Sequence, residues 1–202
     1  MVDLIATEKK AMPKLKIVIQ NSVLTTNLLA ALIGFSMGRI VILDFLSPFA
    51  ISLLCSSMIS RLNPYIIGLS IISGSLSIKS PELLLKNMVL VILMLLIFLL
   101  IHRTRLNNRI FITVFASLAN LAAGIFIFYL KDYYLYDMLM IIIESVMVCA
   151  LINIYDKALV FFTSMKRRTK VSSEEVVSII FLIISSFLGA SVYIWNLSIK
   201  NI

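Results

Sequence analysis

Leu83 to Ile101 reads LLLKNMVLVILMLLIFLLI, and this stretch decides the class of fold. At about 1.5 Å of rise per residue, a helix over it matches the roughly 30 Å hydrocarbon core of a bilayer. Ser80, Pro81 and Glu82 just ahead of it supply a cap, a first-turn proline and a first-turn anion. Its one charge, Lys86, stands a turn inside the start, where its head can extend toward the interface.

Similar runs recur on both sides of this segment. The chain has 202 residues, 61% hydrophobic and 14% charged, with mean hydropathy +1.06. Soluble domains use about 45–50% apolar residues, so the composition excludes a soluble domain with one oily core. The sequence predicts an all-α, polytopic transmembrane bundle of about seven helices. Their expected bounds are 22–43, 45–60, 65–78, 83–101, 110–130, 138–162 and 176–195, behind a basic cytoplasmic tail over 1–20.

The segments 45–60 and 65–78 are short for crossing and admit a second reading as a re-entrant hairpin; two full crossings are expected here. Tyrosines in KDYYLY, Lys131 to Tyr136, and Trp195 suit the headgroup level. The N-terminal tail carries Lys9, Lys10, Lys14 and Lys16 with no cleavable apolar region before the first long helix, so it reads as a retained tail. Seven crossings with that tail inside put it on one side with Arg61, the arginines of 102–109 and the run MKRRTK at 165–170. Lys79, Lys86, Lys131 and Lys200 fall on the other side, which makes twelve basic residues against four. This asymmetry orients the bundle and places the C-terminus outside.

The net charge of +8 therefore encodes topology rather than affinity for nucleic acid. MKRRTK also suits an anionic lipid surface, its ordinary reading being a topology determinant. Cys55 and Cys149 lie in apolar segments as small buried side chains, and the single histidine, His102, cannot make a metal site by itself. No phosphate-cradling glycine loop, nucleophile elbow or metal-ligand spacing is present, so neither enzymatic activity nor a cofactor is expected.

Gly34 to Ala50, GFSMGRIVILDFLSPFA, is where polar and helix-breaking residues concentrate. Gly34 and Gly38 form a GxxxG that predicts close helix approach. Ser47 and Pro48 suit the cap and first turn of the second helix. Arg39, about three turns into the first helix, and Asp44, where that helix ends, read as an interfacial pair or as residues that bind or couple to another subunit.

Glu144 sits well inside the sixth helix, where a charge is expensive unless neutralised or paired. The simplest expected partner is Arg39. Ser172, Glu174 and Glu175 sit at the start of the seventh helix, with Ser172 and Glu175 in capping-box spacing.

These pieces together resemble the N-terminal membrane region of stage II sporulation protein E. The resemblance rests on Gly38-Arg39 followed by Asp44 to Phe49, on Glu144 in a late helix, on the basic run at 166–170, on Ser173 to Ser178 and on Leu188-Gly189. It implies a multispanning membrane part that, in family members, precedes a cytoplasmic metal-dependent serine/threonine phosphatase. No aspartates that suit the phosphatase metals occur here, so no catalytic residue is carried over, and a fragment and a stand-alone membrane module both fit the sequence.

The function expected from the resemblance is localisation and assembly at the sporulation septum of the inner membrane. Its partners are membrane lipid, further copies of the chain, and sporulation or division membrane proteins. The alternative is a small transporter or permease component using Arg39, Asp44 and Glu144. A polar cavity reaching Glu144 would mark the transporter, and mutually satisfied side chains in a packed interior would mark the scaffold.

Overall fold

A computed structural model describes residues 25–42, 46–60, 62–78, 80–104, 109–131, 135–164 and 171–199. Asp44, Arg61, Lys79, Arg105, Lys200, the tail over 1–20 and MKRRTK lie outside the described residues. Seven helices are present among them: α1 Thr25–Met37, α2 Pro48–Ile59, α3 Pro64–Ser75, α4 Pro81–Thr104, α5 Arg109–Lys131, α6 Leu135–Ser164 and α7 Ser173–Ile199.

Prolines start α2, α3 and α4, where their missing N–H costs least. At α3, Asn63 caps the helix by accepting from the Tyr65 N–H at 3.1 Å. At α7, the Glu175 N–H donates to Ser172 Oγ at 3.2 Å, and the Ser172 N–H donates to Glu175 Oε2 at 3.0 Å. This reciprocal closure starts the helix at Ser173 and puts Glu174 and Glu175 in its first turn, ahead of the expected 176.

Four helices, α4 to α7, are long and apolar enough to cross a membrane. Among the described residues the other three are shorter. α2 and α3 have 12 residues each, about 18 Å of helix against a core of about 30 Å. They form a short antiparallel pair joined by a tight turn.

The first helix, expected to run to Leu43, stops at Met37. Its last turn tightens, with the Arg39 N–H donating to the Ser36 carbonyl at 3.2 Å and the Ile40 N–H to the Met37 carbonyl at 3.3 Å. Ile42 and Leu46 then exchange backbone hydrogen bonds of 2.8 and 3.0 Å in an isolated antiparallel bridge. Irregular backbone of this kind is tolerated at membrane depth only where protein surrounds it.

Protein does surround it, because α2 is the axis of the bundle. Every residue from Pro48 to Met58 is buried, and the helix packs against α3, α4, α5 and α6. Serines let α2 lie close along α6: Ser52 Oγ donates to the Val148 carbonyl at 3.3 Å and Ser56 Oγ to the Ile152 carbonyl at 3.0 Å. Both hydroxyls also bond back within α2, to Pro48 and Ser52. The matching order of contacts makes α2 and α6 parallel.

α1 is held from two sides by glycines. A Cβ on Gly38 would come within 3.0 Å of the Ile71 carbonyl oxygen of α3, and one on Gly74 would do the same at the Phe35 carbonyl of α1. On α7, Gly189 meets the Ser36 carbonyl in the same way. Gly34 is looser, its would-be Cβ lying 3.1 Å from Ser70 Cβ.

Candidate functional site

The break between α1 and α2 sets the candidate site. Because the chain leaves helical geometry at Gly38 and resumes it at Pro48, the N-terminal end of α2 lies inside the bundle with its first N–H groups lacking intrahelical partners. Ser47, the N-cap, makes no side-chain cap bond to its own helix, contrary to the role expected for it. Its backbone N–H instead donates to Glu144 Oε1 at 2.9 Å, and its hydroxyl donates to Asn87 Oδ1 at 2.8 Å. The positive end of α2 thus faces a carboxylate, the sign that the helix dipole favours.

Lys86 is the counter-charge. Its ammonium lies 2.5 Å from Glu144 Oε2, with the two side chains 3% and 0% exposed. The expected pairing of Glu144 with Arg39 is therefore corrected, since both carboxylate oxygens are engaged elsewhere. Arg39 is buried at the end of α1 with its guanidinium 5.4 Å from the Phe35 ring centroid. The physical reason is the early end of α1, which takes Arg39 out of the helical register that the pairing assumed. Lys86, expected to reach outward to the interface, turns inward because Glu144 supplies an acceptor there, and an ion pair in a low-dielectric interior outweighs a bare buried cation.

The layer continues to α3 and α1. Asn87 Nδ2 donates to Ser75 Oγ at 3.1 Å, and Ser75 Oγ donates to the Gly38 carbonyl at 3.0 Å. One chain of hydrogen bonds thus runs from Glu144 on α6 through Ser47 at the start of α2, Asn87 on α4 and Ser75 on α3 to the Gly38 carbonyl just past α1. Sequence reasoning does not mark Lys86, Asn87 or Ser75 as site residues; the signal for them is a Lys-Asn pair inside an otherwise apolar span. Pro48 starts α2 directly beneath this layer. The structure brings Gly38, Ser47, Pro48 and Glu144 together; Ser172, Glu174 and Glu175 belong to the start of α7.

A second set of charges lies toward the Ser164 end of α6. Arg109 at the start of α5 reaches Asp156 Oδ2 and Asn153 Oδ1, each at 3.1 Å, and Lys157 pairs with Glu174. Among the described residues no group of three or more His, Cys, Asp or Glu side chains is placed to hold a metal ion. A groove of about 430 Å³ lies between α4 and α5, and apart from Lys86 the residues lining it are apolar, among them Leu90, Phe115, Ala119 and Ala123.

A buried short helix that starts at an ion pair, packed among helices long and apolar enough to cross a membrane, defines a polytopic helical membrane protein. The chain belongs to the family described as SpoIIE, N-terminal domain, whose model matches residues 2–202, as its motifs led one to expect. It is thus a membrane-anchoring region of a sporulation protein. No curated protein and no solved structure matches it.

Proposed function

We propose that this chain is a non-enzymatic assembly module: it anchors in the cell membrane and positions itself and partner membrane proteins at the sporulation septum through helix packing. The observation that carries this reading is the closure of the layer around Glu144, where both carboxylate oxygens and the Ser47, Asn87 and Ser75 side chains are engaged with one another. A path for solute needs polar groups left open to a wet cavity, and the groove beside Lys86 is lined by apolar side chains. The outward apolar faces of α4 to α7, including Leu96, Leu118, Val146 and Phe187, suit lipid and the helices of partner proteins.

The test is a fluorescent fusion of the chain followed in sporulating cells, joined to cysteine crosslinking between copies in the membrane. Enrichment at the polar septum and crosslinks between copies are expected. Uniform membrane labelling would remove the septal role, and absence of crosslinks from every lipid-facing helix would remove self-association. Solute flux in vesicles containing the purified chain, abolished by Glu144→Gln, would replace the proposal with the transporter reading.

A further inference from the structure

Asn120 on α5 is fully buried, and neither its amide nitrogen nor its carbonyl oxygen has a hydrogen-bond partner. A buried amide without partners loses its bonds to water and gains none in return, so the position demands a reason. Its height in the bundle gives one. α5 runs antiparallel to α6: Ser117 Oγ donates to the Ser145 carbonyl at 2.7 Å, and Gly124 meets the Ile141 side chain. Asn120 falls between these two contacts, which puts it level with Glu144.

Three further facts put its helix face toward the same layer. α5 packs against α2, α4 and α6 alike. Asn120 belongs to the buried stripe of Ile112, Ala116 and Gly124. Its neighbours Ala119 and Ala123 line the same groove as Lys86. Among the described residues, the Lys86 ammonium has one acceptor, Glu144 Oε2, for its three N–H donors. Donors without acceptors on α4 thus stand at the same level as an amide on α5 whose oxygen lacks a donor and whose N–H groups lack acceptors.

We infer that the Lys86–Glu144 pair and Asn120 together form a binding site for a water molecule, which accepts from the ammonium and donates to the Asn120 carbonyl oxygen. Buried waters typically make about three hydrogen bonds, and the ammonium, the Asn120 carbonyl oxygen and a second lone pair on a Glu144 carboxylate oxygen offer that number. Asn120 is then a positioning residue: through the shared water it aims Lys86 at Glu144 and ties α5, which the direct hydrogen-bond chain leaves out, into the polar layer.

The experiment uses the full chain in lipid bilayers, with nitrogen-15 in Asn and Lys side chains and magnetisation transferred from water. Transfer to both Asn120 Nδ2 and Lys86 Nζ is expected, with the Lys86 transfer lost in Asn120→Leu and kept in Asn120→Ser, whose smaller side chain leaves room for water and keeps a polar group. No transfer in the wild type, or a Lys86 signal unchanged in Asn120→Leu, would overturn the site. Reversible unfolding supplies a second measurement: Asn120→Leu lowers the ratio of folded to unfolded protein about tenfold, and far less when Lys86 is already methionine. An Asn120→Leu variant as stable as the wild type or more so would show an orphaned amide instead, and would also sink the inference.

Discussion

Two sets of charges hold α6, one near its middle and one toward its Ser164 end, and their surroundings separate them. Lys86 and Glu144 are 3% and 0% exposed, whereas Lys157 and Glu174 are 43% and 72% exposed. The Arg109–Asp156 pair lies between, with an exposed guanidinium and a buried carboxylate. Where water reaches both partners, each side chain has an alternative and the pair sets little. Where it does not, each charge is committed to the other, and the helices carrying them are fixed. The comparison explains why the break between α1 and α2 sits beside Glu144: irregular backbone there finds its partners within the same buried layer.

The largest effect is expected from Glu144→Ala, which leaves Lys86 buried without a counter-charge. A loss of about 3–5 kcal/mol is expected in reversible unfolding in detergent. Replacing both partners, Lys86→Met with Glu144→Leu, recovers most of it, because what is costly is one uncompensated charge. A Glu144→Ala protein as stable as the wild type would erase the distinction between the two regions.

Next comes Gly189→Leu, which drives a side chain into the Ser36 carbonyl. A loss of about 1–3 kcal/mol in reversible unfolding is expected. Ser47→Ala is milder: it loses the hydroxyl bond to Asn87 but keeps the backbone N–H that serves Glu144, so about 1 kcal/mol is expected. The smallest change belongs to Lys157→Ala, for which the unfolding midpoint stays within measurement scatter at physiological salt. A larger loss for Lys157→Ala than for Ser47→Ala would reverse the ranking of buried and exposed contacts.

Several decisive residues are legible in the sequence itself. Gly34, Gly38, Ser47, Pro48 and Glu144 stand out because glycine, proline and charge are rare in apolar spans, and the motif around Gly38 points to the family. The partner of Glu144 is not legible there. Arg39 is the stronger candidate as long as the first helix runs through to Leu43, with Gly38 read as a packing glycine rather than as the helix end it makes. The stop depends on Gly38 and Ser36 meeting the backbones of α3 and α7, contacts made by residues far along the chain. Lys86 resembles a side chain reaching for the interface because sequence spacing gives its depth and not its direction.

What the sequence alone determined is the membrane class, the seven apolar segments and the family, all consequences of hydropathy, length and local motif. Tertiary structure decided where the first helix stops and which charges pair. Both depend on how the α2 axis is enclosed: three short helices at the front of the chain are completed by Lys86 and Glu144 from later ones, and the local sequence around either charge does not name the other.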